Sequence, residues 1–268
     1  MKLPKLPAPP LPNALQGRPQ RPGDEQRPGP VEQVREAGIS AVDWVDERTS
    51  IAGGLRWVLF RKVPKGTNWF YTLGSATLFA FLSQAVTGVF LAMYYRPDAA
   101  GGAYESIRHL TNEVFLGEFV RGMHKWGSSV MVILVFLHMA RTFFFGAYKY
   151  PRELNWVIGV VLLILTFVMS FTGYLLPFDQ RSYWATIVGV NINGTGPVVG
   201  PYLSDFLRGG AEFGATTLSR FYAIHMLLIP GLIAALIGAH LYLVAKLGTT
   251  APFWLKAEKS RELAKEDI

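Results

Sequence analysis

His124-Lys-Trp-Gly-Ser-Ser-Val-Met-Val-Ile-Leu-Val-Phe-Leu-His138 is an apolar run with a histidine at each end. In an α-helix, at about 100° and 1.5 Å per residue, its rings lie about 21 Å apart along the axis and within about 40° of one face. A second run, from Phe221 to Leu247, carries His225 and His240 fifteen residues apart, which corresponds to about 22 Å and a rotation of about 60°. Two further stretches, Trp69 to Tyr95 and Asn155 to Pro177, are equally apolar. With His124 to Tyr148 and Phe221 to Leu247 they make four segments that reach the roughly 20 residues needed to cross a bilayer. Lipid offers no partners to backbone polar groups, so such segments form helices. The expected fold class is an all-α membrane protein, a four-transmembrane-helix bundle.

Composition agrees. Half of the residues are hydrophobic, and they are gathered into long runs separated by polar text, a membrane pattern and not that of a soluble core. The chain has no cysteine, which excludes disulfides, thiolate-bound iron–sulfur clusters and thioether-attached haem, and leaves histidine as the candidate ligand. Part of the net charge of +7 sits in the tails, where it reads as membrane topology and not as affinity for nucleic acid.

Four regions follow. Residues 1–30, dominated by Pro, Gly, Arg and Gln, are too polar to offset chain ordering and are expected to be a disordered tail. No apolar core of a signal peptide follows Met1 and Lys2, so no cleaved export signal is expected. Residues 31–66 mix Val42, Val45 and Leu55 with Glu36, Asp43 and Arg48, consistent with an N-terminal amphipathic surface helix broken at Gly53-Gly54; a partner-binding arm is an equal alternative. Residues 67–250 form the four-helix domain, and 251–268 a lysine-rich tail. Arg141, Lys149 and Arg152, with Arg56, Arg61, Lys62 and Lys65 before the first span, belong on the cytoplasmic side. Both termini are then cytoplasmic, and the long connection from Asp179 to Arg220 lies outside as a partly helical cap.

Because the second and fourth spans run in the same direction, His124 pairs with His225 near the outer face and His138 with His240 near the inner face. Each pair can fill both axial positions of a haem iron, which suits electron transfer and leaves no open site for oxygen. A lone intramembrane histidine would favour a proton relay or an interhelical hydrogen bond; two pairs at nearly equal spacing favour two enclosed b haems. His109 has no counterpart and receives no role. Gly74 and Gly88, and again Gly159 and Gly173, repeat the fourteen-residue interval, and glycine permits the close approach that a wedged porphyrin needs. Arg121, one turn before His124, and Arg141, one turn after His138, are placed to bond haem propionates, with interfacial anchoring as the alternative. Pro230 should bend the fourth helix and help absorb the extra residue between its histidines.

From about Asp43 to Pro252 the sequence resembles the cytochrome b subunit of quinol–cytochrome c reductases, most closely the short, split form of cytochrome bf complexes. The resemblance is carried by Asn68-Trp-Phe-Tyr-Thr-Leu-Gly74, Gln84-Ala-Val-Thr-Gly-Val-Phe-Leu-Ala92, Tyr94-Tyr-Arg-Pro97, Arg121-Gly-Met-His-Lys-Trp126, Pro151-Arg-Glu-Leu-Asn-Trp156, Thr172-Gly-Tyr-Leu-Leu-Pro-Phe-Asp-Gln180 and Arg220-Phe-Tyr-Ala-Ile-His225. It implies a quinol-oxidation pocket on the outer side, with Tyr174, Phe178, Tyr183 and Trp184 as candidates, and a quinone-reduction pocket on the inner side. The family's Pro-Glu-Trp-Tyr-type motif on later helices is missing, which implies a separate subunit carrying the C-terminal half of cytochrome b. A Rieske iron–sulfur protein, a c-type cytochrome subunit, a homodimeric complex and a bacterial inner membrane are implied as well. Thr72 stands where bf-type proteins carry a haem-attaching cysteine, so two non-covalent haem b and no covalently attached haem are expected. Cytochromes b that anchor hydrogenases or formate dehydrogenases also use intramembrane histidines, but the ordered text around both pairs fits the quinol reductases.

Overall fold

The computed structural model describes residues 30–49, 51, 67–250, 252 and 254. The expectations for the 1–29 tail, for Gly53-Gly54, for Arg56, Arg61, Lys62 and Lys65, and for most of 251–268 lie outside the described residues. The described parts fall into two units. One contains helix α1, Pro30–Thr49, with Glu32 in its first turn and Arg48 in its last, each complementing the helix dipole. Arg48 lies over the Trp44 ring at 4.1 Å and bonds the Trp44 carbonyl at 2.8 Å.

The other unit is helical throughout its described elements. A single 3₁₀ turn, Trp69–Thr72, is capped by Asn68, whose Oδ1 accepts from Phe70 N–H, and runs into α2, Leu73–Ala92. It is followed by α3, Gly102–Asn112; α4, Gly117–Phe144; α5, Glu153–Tyr174; α6, Gln180–Gly194; α7, Gly200–Arg208; and α8, Ala215–Ala223. A π-helical turn, Ile224–Leu228, leads into α9, Ile229–Leu247. Four helical stretches are long and apolar enough to cross a membrane: Trp69–Ala92, Gly117–Phe144, Glu153–Tyr174 and Ala215–Leu247.

Two boundaries differ from the sequence expectation. The second helix begins at Gly117 and not near His124. Its 28 residues amount to about 42 Å, well beyond the roughly 30 Å hydrocarbon layer, so its first turns with Glu118 and Arg121 project past the apolar run that hydropathy detects. The fourth likewise starts at Ala215, in the Thr- and Ser-containing text before Phe221. Polar residues end a hydrophobic segment without ending a helix.

The packing is in pairs. α2 lies chiefly against α4 and α5 chiefly against α9, whereas α4 and α9 are not closely packed on each other. The buried apolar residues follow suit. Ala80, Met131 and Val135 form one cluster between α2 and α4. A larger one joins Leu175, Val190, Leu207, Leu218, Phe221 and Ile233 beneath the α6–α8 cap. The cap is tied by an Asp179–Ser182 capping box, by Thr217 donating to the Arg208 carbonyl at 2.6 Å, and by Arg220 donating to the Phe206 carbonyl.

Candidate cofactor site

The two helices that leave a gap between them carry the four histidines. Across it the His124 and His225 ring centroids lie 6.3 Å apart at 76°, and those of His138 and His240 lie 6.3 Å apart at 77°. Two levels with one geometry come from helices whose intervals differ by a residue. The π-turn explains this: Ile229 N–H bonds to the Ile224 carbonyl across it, a wider turn that absorbs one residue. Fifteen residues on the fourth span therefore cover the rotation and rise of fourteen on the second. The accommodation expected of Pro230 is thus located in the turn just before it. Proline follows naturally, since it has no N–H to extend a ladder already broken.

All four expected glycines face histidine rings. A Cβ on Gly173 would stand 2.5 Å from His225 Cε1, on Gly74 3.1 Å from His138 Cε1, and on Gly88 3.3 Å from His124 Cε1. Gly159 is looser, with His240 Cε1 at 3.8 Å. The close approach at these glycines is thus to the imidazole edge: α2 supports the rings of α4, and α5 supports those carried by the fourth span.

Hydrogen bonds orient the rings. His225 Nδ1 lies 3.0 Å from the Met169 carbonyl, which can only accept, so Nδ1 carries the hydrogen and Nε2 the lone pair. Thr172 lies 3.2 Å from the same Nδ1, and Thr87 2.9 Å from His124 Nδ1. These three partners were not foreseen. Their sequence signal is the dipeptide Thr-Gly, present as Thr87-Gly88 and Thr172-Gly173.

The residues fit a haem. Half of the 6.3 Å centroid separation, less the roughly 1.1 Å from an imidazole centroid to its nitrogen, leaves about 2 Å, a metal–imidazole bond length. The guanidinium of Arg141 lies 3.7 Å over the Tyr71 ring and 5.1 Å from that of Phe145, yet its Nε and Nη2 are buried without a partner. Orphaned donors on a cation suit an anionic group such as a propionate. Arg121 is half-buried. Among the described residues no group of three or more His, Cys, Asp or Glu side chains could hold a metal ion.

Of the four quinol-site candidates, Phe178, Tyr183 and Trp184 come together with Ala99, Asp179 and Gln180 around a cleft of about 280 Å³; Tyr174 is not among its lining residues. The corner that makes the cleft is unusual in having Phe178 at φ +49°, a left-handed conformation that is strained for a bulky residue. Tyr95 braces it, donating to the Leu176 carbonyl at 2.6 Å. Burial, with the neighbouring Tyr222, pushes the Tyr95 phenol above its usual range, so it remains a donor. His109 is exposed and pairs with Glu113 at 2.8 Å.

A bundle of four membrane-length helices presenting facing imidazoles at two depths defines a class of membrane protein with paired intramembrane ligands. The profile of the family Cytochrome b/b6/petB matches residues 59–248. Cytochrome b6 of Heliobacterium modesticaldum is 43% identical over 213 residues, covering 79% of this chain and 100% of that protein. The menaquinol:cytochrome c reductase cytochrome b subunit of Bacillus subtilis is 42% identical over 218 residues, covering 78% and 97%. Among solved structures, a chain of a hyperthermophilic respiratory Complex III is similar at 33% identity with a TM-score of 0.72; the match covers 79% of this chain and 56% of that one. The chain belongs to the cytochrome b/b6 family. Membership implies haem b binding and electron transport within an oxidoreductase complex.

Proposed function

We propose that this chain is the di-haem cytochrome b subunit of a quinol–cytochrome c, or plastocyanin-type, oxidoreductase. It would pass electrons from an outer quinol-oxidation site to an inner quinone-reduction site and contribute to proton translocation. The observation that carries this reading is the pair of histidine levels with one ring separation, 6.3 Å. His124 and His225 hold one iron, and His138 and His240 the other. Bound haem supplies a one-electron carrier at each depth, with no open coordination position. Arg121 and Arg141 anchor the propionates, and Gly74, Gly88, Gly159 and Gly173 let the imidazoles seat against the neighbouring helices. Thr72 offers a hydroxyl that cannot form a thioether, so neither haem is covalently attached.

The cleft of Phe178, Tyr183 and Trp184 receives quinol on the outer side, where protons are released; one electron goes to a Rieske iron–sulfur protein and the other enters this chain. The catalytic acid, on this reading, comes from a separate subunit carrying the C-terminal half of cytochrome b. A c-type cytochrome and a second copy complete a homodimeric complex in a bacterial inner membrane, with both termini of this chain cytoplasmic. The test is a reduced-minus-oxidised spectrum with a redox titration of the purified complex. Two b-type components are expected; their absence would overturn the reading. A haem band surviving on a denaturing gel would overturn the non-covalent assignment.

A further inference from the structure

The two histidine levels differ in what holds their imidazoles. Thr87 donates its hydroxyl proton to the Ser83 carbonyl at 2.7 Å, so its oxygen is left to accept His124 Nδ1–H at 2.9 Å. Thr172 repeats the arrangement on α5. It donates to the Val168 carbonyl at 2.9 Å and faces His225 Nδ1 at 3.2 Å, which also reaches the Met169 carbonyl at 3.0 Å. Both threonines are buried, Thr172 almost completely. At the other level the glycines follow Leu73 and Ile158, which have nothing to offer a ring nitrogen. The Asn155 backbone serves His240 as the Met169 carbonyl serves His225, but no side chain bonds His240 Nδ1, and among the described residues no hydrogen bond reaches the His138 ring.

An acceptor on Nδ1–H draws that proton away from the ring and makes Nε2 a more basic ligand. A more basic ligand stabilises the oxidised iron, and hydrogen bonding is one of the protein's levers on haem potential. We infer that Thr87 and Thr172 are positioning residues that lower the reduction potential of the haem between His124 and His225 below that of the haem between His138 and His240. The inference rests on the two-haem reading above.

Redox titration of the α-band in the purified complex tests it, with Thr87→Val, Thr172→Val and the double variant compared with the parent. Valine keeps the branched shape and removes the oxygen. The lower of the two midpoints is expected to rise while the higher stays in place. In the double variant the rise should reach about a tenfold change in the redox equilibrium, about 59 mV for one electron. Thr87→Ser and Thr172→Ser should restore the parent value. Thr166→Val removes another buried hydroxyl of α5, one bonded to the Leu162 carbonyl, and should leave both midpoints unmoved. An unmoved lower midpoint in the double variant, or equal movement of both midpoints, overturns the inference, as does an equal effect of Thr166→Val. Where Thr87→Val loses the cofactor, Thr172→Val gives the reading, because the Met169 carbonyl still holds its ring. Absence of two components in the parent would defeat the functional reading itself; two intact components whose midpoints ignore the threonines would defeat this inference alone.

Discussion

The His124–His225 level and the His138–His240 level share a ring separation and a glycine against each imidazole, and differ in the side chains that bond the rings. At the first, protein satisfies the ring nitrogens: Thr87, Thr172 and the Met169 carbonyl bond them. At the second, no side chain bonds His240, which has only the Asn155 backbone, and the Arg141 donors Nε and Nη2 are buried and unpaired. The spacing of ligands and the setting of ligands are therefore separate properties. The first is set by helix geometry, and the second by the residues of the neighbouring helices α2 and α5.

The strongest way to break the comparison is to remove a ligand from each level in turn. His225→Leu should abolish one spectral component and His240→Leu the other, each halving the haem bound per chain in a haemochrome assay. Loss of both components from either change would show that the levels are not independent. Next in size is a contrast of glycines on α5. Gly173→Ala drives a methyl to 2.5 Å from His225 Cε1, while at Gly159 the nearest atom is 3.7 Å away. The first should cost about 1–3 kcal/mol through overpacking and deplete the His225 haem; the second, with room for its methyl, should lower haem content and thermal midpoint far less. Arg141→Gln should weaken haem retention at the second level by about ten- to a hundredfold, since a hydrogen bond to a charged group contributes about 1.5–3 kcal/mol. Transfer of haem to an apo-acceptor measures it, with the first level as internal reference. The smallest effect is expected from Tyr95→Phe. Losing its bond to the Leu176 carbonyl should cost about 1 kcal/mol, lowering thermal stability slightly and raising the quinol KM without moving either spectrum.

Much of this organisation was legible in the sequence, because the features that carry it are periodic. Four apolar runs of membrane length gave the spans, and the intervals of fourteen and fifteen residues put histidines at matching depths. Helix ends were less legible. The apolar run begins at His124, while backbone hydrogen bonding continues back to Gly117. The π-turn was hidden because it leaves no composition signal beyond Pro230, and the threonine bonds because an isolated Thr in a membrane helix ordinarily bonds its own backbone, as Thr77 does with Leu73. Among the quinol-site candidates, aromatic character was visible, but which rings share a cleft depended on the turn at Phe178.

The wide turn at Ile224–Leu228 also makes the fourth span a vernier scale. Its residue count and its physical length disagree by one division, and the disagreement sits in a known place. A single-residue deletion just after His225 would let the helix run through as continuous α while keeping His240 opposite His138. The same deletion beyond Pro230 would leave the wide turn in place and rotate His240 by about 100°, away from its partner. Equal losses of sequence would then have opposite outcomes, set by the side of the proline on which they fall.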